Sequence, residues 1–365
     1  MGVIRRSAAI AAAHGGEAPL VLRSVRSSLW PRFLLGAGVL LAAVLVGLAL
    51  GPASIPLDAT ARVLLSHLPG VDLDADVPAT WRTIIWDVRL PRVLLAGLAG
   101  ATLAMAGATY QGVFRNPLAE PYLIGVATGA ALGATIVVVS GANVSAGGLS
   151  ALPLAAFAGA LACVVVVYGV ARVGNTVPVT TLILAGVALS SLATAITSYL
   201  MLKDTSNTLS VFSVVLGSFN TATWTKVAWV LPYAVPSAAV ILVHGRILNV
   251  LSLDEEQARA LGIDVERTKL VLLGAASLAA AAAVSVSGTI GFVGLIVPHA
   301  VRMMWGPDNR ALLPMSILLG AAFLIGADVI ARMADRPSEI PVGIITAFCG
   351  VPFFLFLLRR ARGVY

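Results

Sequence analysis

Between Pro121 and Ala171 the chain runs 51 residues without a single aspartate, glutamate, lysine or arginine. A helix needs about 20 apolar residues to cross the hydrocarbon of a bilayer, so this interval is long enough for two crossings. Seven further charge-free intervals follow the same rule: Phe33 to Leu57, Val93 to Phe114, Val173 to Leu202, Val227 to Gly245, Leu270 to Val301, Ala311 to Ala327 and Ile340 to Leu358. With 59% hydrophobic and 11% charged residues and a mean hydropathy of +0.96, a soluble globule of 365 residues could not hide this surface. The expected class is an all-α polytopic membrane protein.

The long interval must fold back once, and Ser140 to Gly148 offers the turn chemistry for it. In Leu270 to Val301 the centre, Ser287-Gly-Thr-Ile-Gly-Phe-Val-Gly294, is rich in helix-weakening glycine. A broken backbone is tolerable in a membrane only where protein or a water-lined cavity surrounds it, so this interval is read as two short crossings. Ten spans result, with both termini cytoplasmic. That arrangement places twice as many lysines and arginines inside as outside, as the positive-inside rule requires. Residues 1–32, with five arginines, form a basic cytoplasmic tail, 33–360 a single ten-helix domain and 361–365 a short cytoplasmic tail.

Several function classes lack their residues. The net charge of +7 does not cluster apart from apolar segments, so it argues membrane topology rather than nucleic acid. Cys163 and Cys349 lie in apolar runs and read as small packing residues. The four histidines are scattered with no H-E-x-x-H, so no catalytic or metal residue is assigned. None of the three lysines follows a glycine, which rules out a phosphate-binding G-x-x-x-x-G-K-[ST] loop. An ion-coupled secondary transporter of a small apolar solute is the alternative, but such carriers place ionisable groups at mid-membrane. The one candidate, Asp328, stands four residues before Arg332, where an i,i+4 pair accounts for it.

One stretch contrasts with the rest. Leu253 to Lys269 holds eight charged residues in 17 positions. Ser252 to Glu255 fits a capping box, Asp254, Glu255 and Glu256 fill a first turn, Arg259 comes later and Gly262 stands as a stop, which predicts a two-turn helix over about 252–262. Leu253, Gln257 and Leu261 share one face of it. In the ten-span arrangement it lies in the cytoplasm between spans six and seven, a place where a soluble partner could dock.

Six segments, in order from about residue 85 to 360, resemble the permease subunits of iron-siderophore, haem and cobalamin ABC importers (FecCD-type, type II). They are Arg89-Leu-Pro-Arg92, Tyr110 to Gly125, Leu253 to Gly262, Gly288 to His299, Asp308 to Pro314 and Glu339 to Ala347. The resemblance implies a homodimer, or a pair of similar permeases, in the cytoplasmic (inner) membrane. Two ATPase subunits bind the ATP and magnesium, an external substrate-binding protein delivers cargo, and this chain carries no cofactor of its own. It implies that Leu253, Asp254, Glu255, Glu256, Ala258, Arg259, Leu261 and Gly262 form the ATPase coupling helix. By the same resemblance Arg89, Arg92 and Arg332 form a basic rim for the binding protein, Asn116 and Leu118 one gate, and Val179 and Thr180 a second. An iron-siderophore is the first expectation for cargo, with haem or cobalamin next.

Overall fold

Small side chains decide which helices lie at the centre. In a computed structural model the chain is described over residues 29–362, apart from 68–72, 74–75, 143–144, 147, 175, 204–210, 212–213, 253–254 and 337. The terminal tails, save for 29–32 and 361–362, and the coupling-helix residues Leu253 and Asp254 thus lie outside the described residues. The helices are α1 (Leu29–Ala49), α2 (Leu57–Ser66), α3 (Ala79–Phe114), α4 (Val126–Ser140), α5 (Ala151–Ala171), α6 (Val179–Lys203), α7 (Trp224–Val243), α8 (Gly245–Leu251), α9 (Glu255–Ala260), α10 (Val265–Ser287), α11 (Val293–Trp305), α12 (Asn309–Met333) and α13 (Val342–Arg362).

Among the described residues, seven helices (α1, α3, α5, α6, α7, α10 and α12) are long and apolar enough to cross a membrane, and α4, α11 and Val342–Phe356 of α13 are shorter apolar helices. The long interval folds back where the sequence offered a turn. There β1 (Ser145–Ala146) and β2 (Leu149–Ser150) pair antiparallel, with Ser145 opposite Ser150.

Two boundaries differ from the sequence reading. The interval Leu270 to Val301 divides into two helices, as expected, but unequally. It forms one full-length helix, α10, and a 13-residue α11. The cause is a cap: the Asp264 carboxylate accepts the Arg267 N–H at 3.0 Å, and Glu266 sits in the first turn, so the helix starts at Val265 and takes Glu266, Arg267 and Lys269 with it.

The second span likewise begins earlier than Val93. α3 continues back to Ala79 through a π-helical turn at Ile84–Arg89. Pro91 has no N–H to offer the carbonyl five residues back, and the Trp224 indole N–H occupies that carbonyl, Trp86 O, at 3.0 Å.

Helices α3 and α10 form the centre. The apolar window of α3 is 78% buried and that of α10 is 72%, against 17% for α1 and α6. Ala279 to Ala283 are all fully buried. Such surfaces let backbones approach closely, which is how helices associate where lipid removes the hydrophobic driving force. A Cβ on Gly107 would stand 2.0 Å from Gly294 O, and one on Gly100 2.1 Å from Gly320 O, so α3 touches α11 and α12 backbone to backbone.

Gly107→Val should therefore overpack this contact and cost about 1–3 kcal/mol or more, read as a lowered unfolding midpoint in detergent. Gly326→Ala, where nothing lies within 4 Å, should leave the midpoint unchanged or slightly raised.

Candidate functional site

The three arginines expected to form an exposed rim are buried instead: Arg89, Arg92 and Arg332 are 3%, 7% and 2% exposed. Each is held by partners from other segments. Arg92 donates through Nε and Nη2 to Asp328 (2.9–3.1 Å) and through Nη1 to Glu339 (2.9 and 3.1 Å). Arg332 pairs with Asp328 Oδ2 at 3.0 Å, the expected i,i+4 contact. Asp87 and Asp335 are the other acids close to these arginines in sequence. Both are exposed, and the second acid of the network is Glu339, on the segment leading into α13.

The remaining donors close the end of α1. The last carbonyls of a helix have no intrahelical partner. Arg89 Nη1 donates to Leu48 O (2.8 Å) and Ala49 O (3.2 Å), and Nη2 to Ala53 O. Arg332 donates to Gly47 O and Leu50 O, each at 3.2 Å, and Arg336 to Gly51 O at 3.3 Å. Four positive side chains thus meet two carboxylates and the negative end of a helix dipole. The arrangement is an internal clamp joining α1, α3, α12 and the start of α13. Its sequence signals were the arginines beside an apolar span and the i,i+4 spacing of Asp328 and Arg332.

The helix break sits between α10 and α11. Gly288 (φ 71°) and Phe292 (φ 69°) both take left-handed backbone conformations. The backbone groups freed there are satisfied as a membrane interior demands. The Tyr122 hydroxyl donates to Ile290 O at 2.9 Å and accepts the Ile290 N–H at 3.0 Å. Ser218 N–H reaches Ser287 O and Thr289 N–H reaches Val214 O, each at 2.8 Å. An apolar cavity of about 630 Å³ lies beside the break, lined by Leu216, Phe292, Ile344, Phe348 and Pro352 among others.

At the opposite end of α10 is the charged stretch. Its helix, α9, runs from Glu255 to Ala260 and ends as the sequence predicted: Gly262 has φ 80°, Ile263 N–H reaches Ala258 O (3.1 Å) and Gly262 N–H reaches Arg259 O (2.9 Å), the paired bonds of a Schellman motif. Ala258 is buried, while Glu256, Gln257, Arg259 and Leu261 face outward. Asn116 accepts the Leu118 N–H on its own side chain at 2.9 Å, leaving Leu118 half exposed. Val179 and Thr180 occupy the first turn of α6. The contact of α6 with the Pro121–Ile124 turn falls two turns further on, where a Cβ on Gly186 would stand 2.0 Å from Leu123 O. Beside that turn, half-buried Glu120 has its carboxyl pushed up to about 7 by desolvation.

The chain is similar to known proteins along most of its length. The FecCD transport family matches residues 39–360. The chain is 42% identical to the cobalamin import system permease protein BtuC of Halobacterium salinarum, over 92% of this chain and 97% of that protein. It is 39% identical to the hemin transport system permease protein HmuU of Yersinia pestis, over 91% of this chain and 97% of that protein. The structure of a metal-chelate type ABC transporter in an inward-facing conformation superposes with a TM-score of 0.77 at 32% identity, covering 90% of this chain and 99% of that one. With its central glycine-packed helices, its broken α10–α11 pair and its capped charged loop, the chain belongs to the FecCD transport family of ABC importer permeases.

Proposed function

We propose that this chain is the translocating subunit of a binding-protein-dependent importer that moves a metal chelate into the cytoplasm, working as a homodimer in the cytoplasmic (inner) membrane with two copies of a separate ATPase. The observation that carries the reading is α10. It runs without interruption from the capped charged loop to the helix break, 23 residues or about 35 Å. A rigid, buried helix with a docking loop at one end and a broken, cavity-lined segment at the other can carry a push from a soluble engine into the membrane. Asn116, Leu118, Val179 and Thr180 are the proposed gates on the loop side.

The cargo proposal is an iron-siderophore, with haem and cobalamin as its competitors. Support comes from the apolar cavity beside the break, which suits a bulky, partly apolar chelate, and from relatives named for haem and cobalamin transport. An ion-coupled carrier is disfavoured because Asp328, its one candidate carboxylate, is engaged by two arginines.

The test is reconstitution. The isolated chain should hydrolyse no ATP above background. With its ATPase and binding protein in vesicles it should take up a ferric siderophore only when ATP is supplied. Hydrolysis by the isolated chain, or uptake without an ATPase, would end the importer reading, and displacement of the siderophore by cobalamin or haem would reassign the cargo.

A further inference from the structure

A second apolar cavity, of about 380 Å³, lies between α5, α6 and α10, away from the helix break. Val165, Leu182 and Leu270 form its walls, and two glycines, Gly169 and Gly274, form part of its floor. Nothing stands within 4 Å of the position a Cβ would take on either glycine, so neither is glycine to allow close packing; both leave space. Its outer lip is open, with Val165 69% and Leu270 50% exposed. All three helices are long and apolar enough to cross a membrane, and the open lip between them is apolar. From Leu270 to Ser277 the groove extends about 10 Å along α10.

One end of this groove is polar and positive. Tyr168 and Arg172 line it there, at the last turn of α5. Both Arg172 and Glu266 lie within electrostatic reach of Tyr168. Glu266 is in turn flanked by Lys269 (3.7 Å) and Arg259 (3.8 Å), and its other oxygen accepts the Val177 N–H at 3.2 Å. Asp264, the remaining acid of this turn, is turned into the cap of α10. Two cations thus flank Glu266 beside the slot, and a third, Arg172, lines the slot itself, with its Nε donating to Gly174 O at 3.0 Å. We propose that the groove is a binding site for one anionic phospholipid, an acyl chain lying over Gly169 and Gly274 and the headgroup phosphate resting at Tyr168 and Arg172. Phosphates attract basic side chains at the membrane surface, and the groove gives that attraction a fixed position. The lipid would then be the contact that fills the gap between α10 and the α5–α6 pair.

Native mass spectrometry of the full chain, stripped in detergent and titrated with phosphatidylglycerol or phosphatidylcholine, tests this. Wild-type protein should retain one phosphatidylglycerol and prefer it over phosphatidylcholine by roughly ten-fold, while Arg172→Gln should cut that preference by about five-fold, near the effect of one basic residue at a membrane surface. Gly274→Leu should fill the slot and abolish retention of either lipid. Gly169→Leu does the same from the other wall and serves if the first variant does not fold. A wild-type chain that retains no phospholipid, one that holds both lipids equally, or a folded Gly274→Leu protein that keeps the same lipid overturns the proposal.

Discussion

Asp328→Ala should lower stability by about 3–5 kcal/mol, the range for breaking a buried ion pair by removing one partner, seen as a fall of roughly 10 °C in the unfolding midpoint in detergent. The carboxylate is 1% exposed and serves Arg92 and Arg332 at once. Without it, among the described residues, Arg332 would keep only backbone carbonyls and Arg92 only Glu339. A midpoint within 2 °C of wild type, on the scale set for proteins of this size, would mean that the clamp contributes little.

The same network bears on the docking role proposed for Arg89, Arg92 and Arg332. A binding protein could use these guanidiniums only by offering acids in place of Asp328 and Glu339, or by opening the clamp. Replacing Arg92, Asp328, Arg332 and Glu339 together with methionine or leucine removes the charges as a set, a change that is often neutral for stability. If that folded variant still responds to its binding protein with the same affinity and salt dependence, docking lies elsewhere on this face.

Charge reversal on the loop should have an equally large effect on activity with little on folding. Glu255→Lys with Glu256→Lys alters a short helix that Gly262 and its backbone bonds terminate. Removing charges from a docked interface typically costs 2–5 kcal/mol, so affinity for the ATPase should fall about a hundred-fold or more and uptake with it. Elution of the purified variant should match wild type. Uptake at the wild-type rate would reduce the segment to a solvated connector.

Much of the architecture was legible because a bilayer imposes a length on every charge-free run. The hairpin after Ser140, the break near Gly288 and the stop at Gly262 all followed from local residue chemistry, since a left-handed backbone or a tight turn needs particular residues wherever it occurs. The arginine end was misread for the opposite reason. Charges beside Val93 looked like the edge of a span, yet a π-helical turn carries α3 past them, and their partners come from positions 236, 247 and about 40 residues away.

The sequence by itself determined that this chain enters a membrane as helices, where its charged loop lies and that it carries no P-loop of its own. Those properties depend on side chains taken a few at a time along the chain. Only the tertiary structure decided that the arginines are clamped inward, that α10 joins the loop to the break as one continuous helix, and that two glycines leave a slot open while others close helix on helix. Each of these depends on which distant backbone or side chain stands opposite, and the pattern of a single helix carries no record of its neighbour.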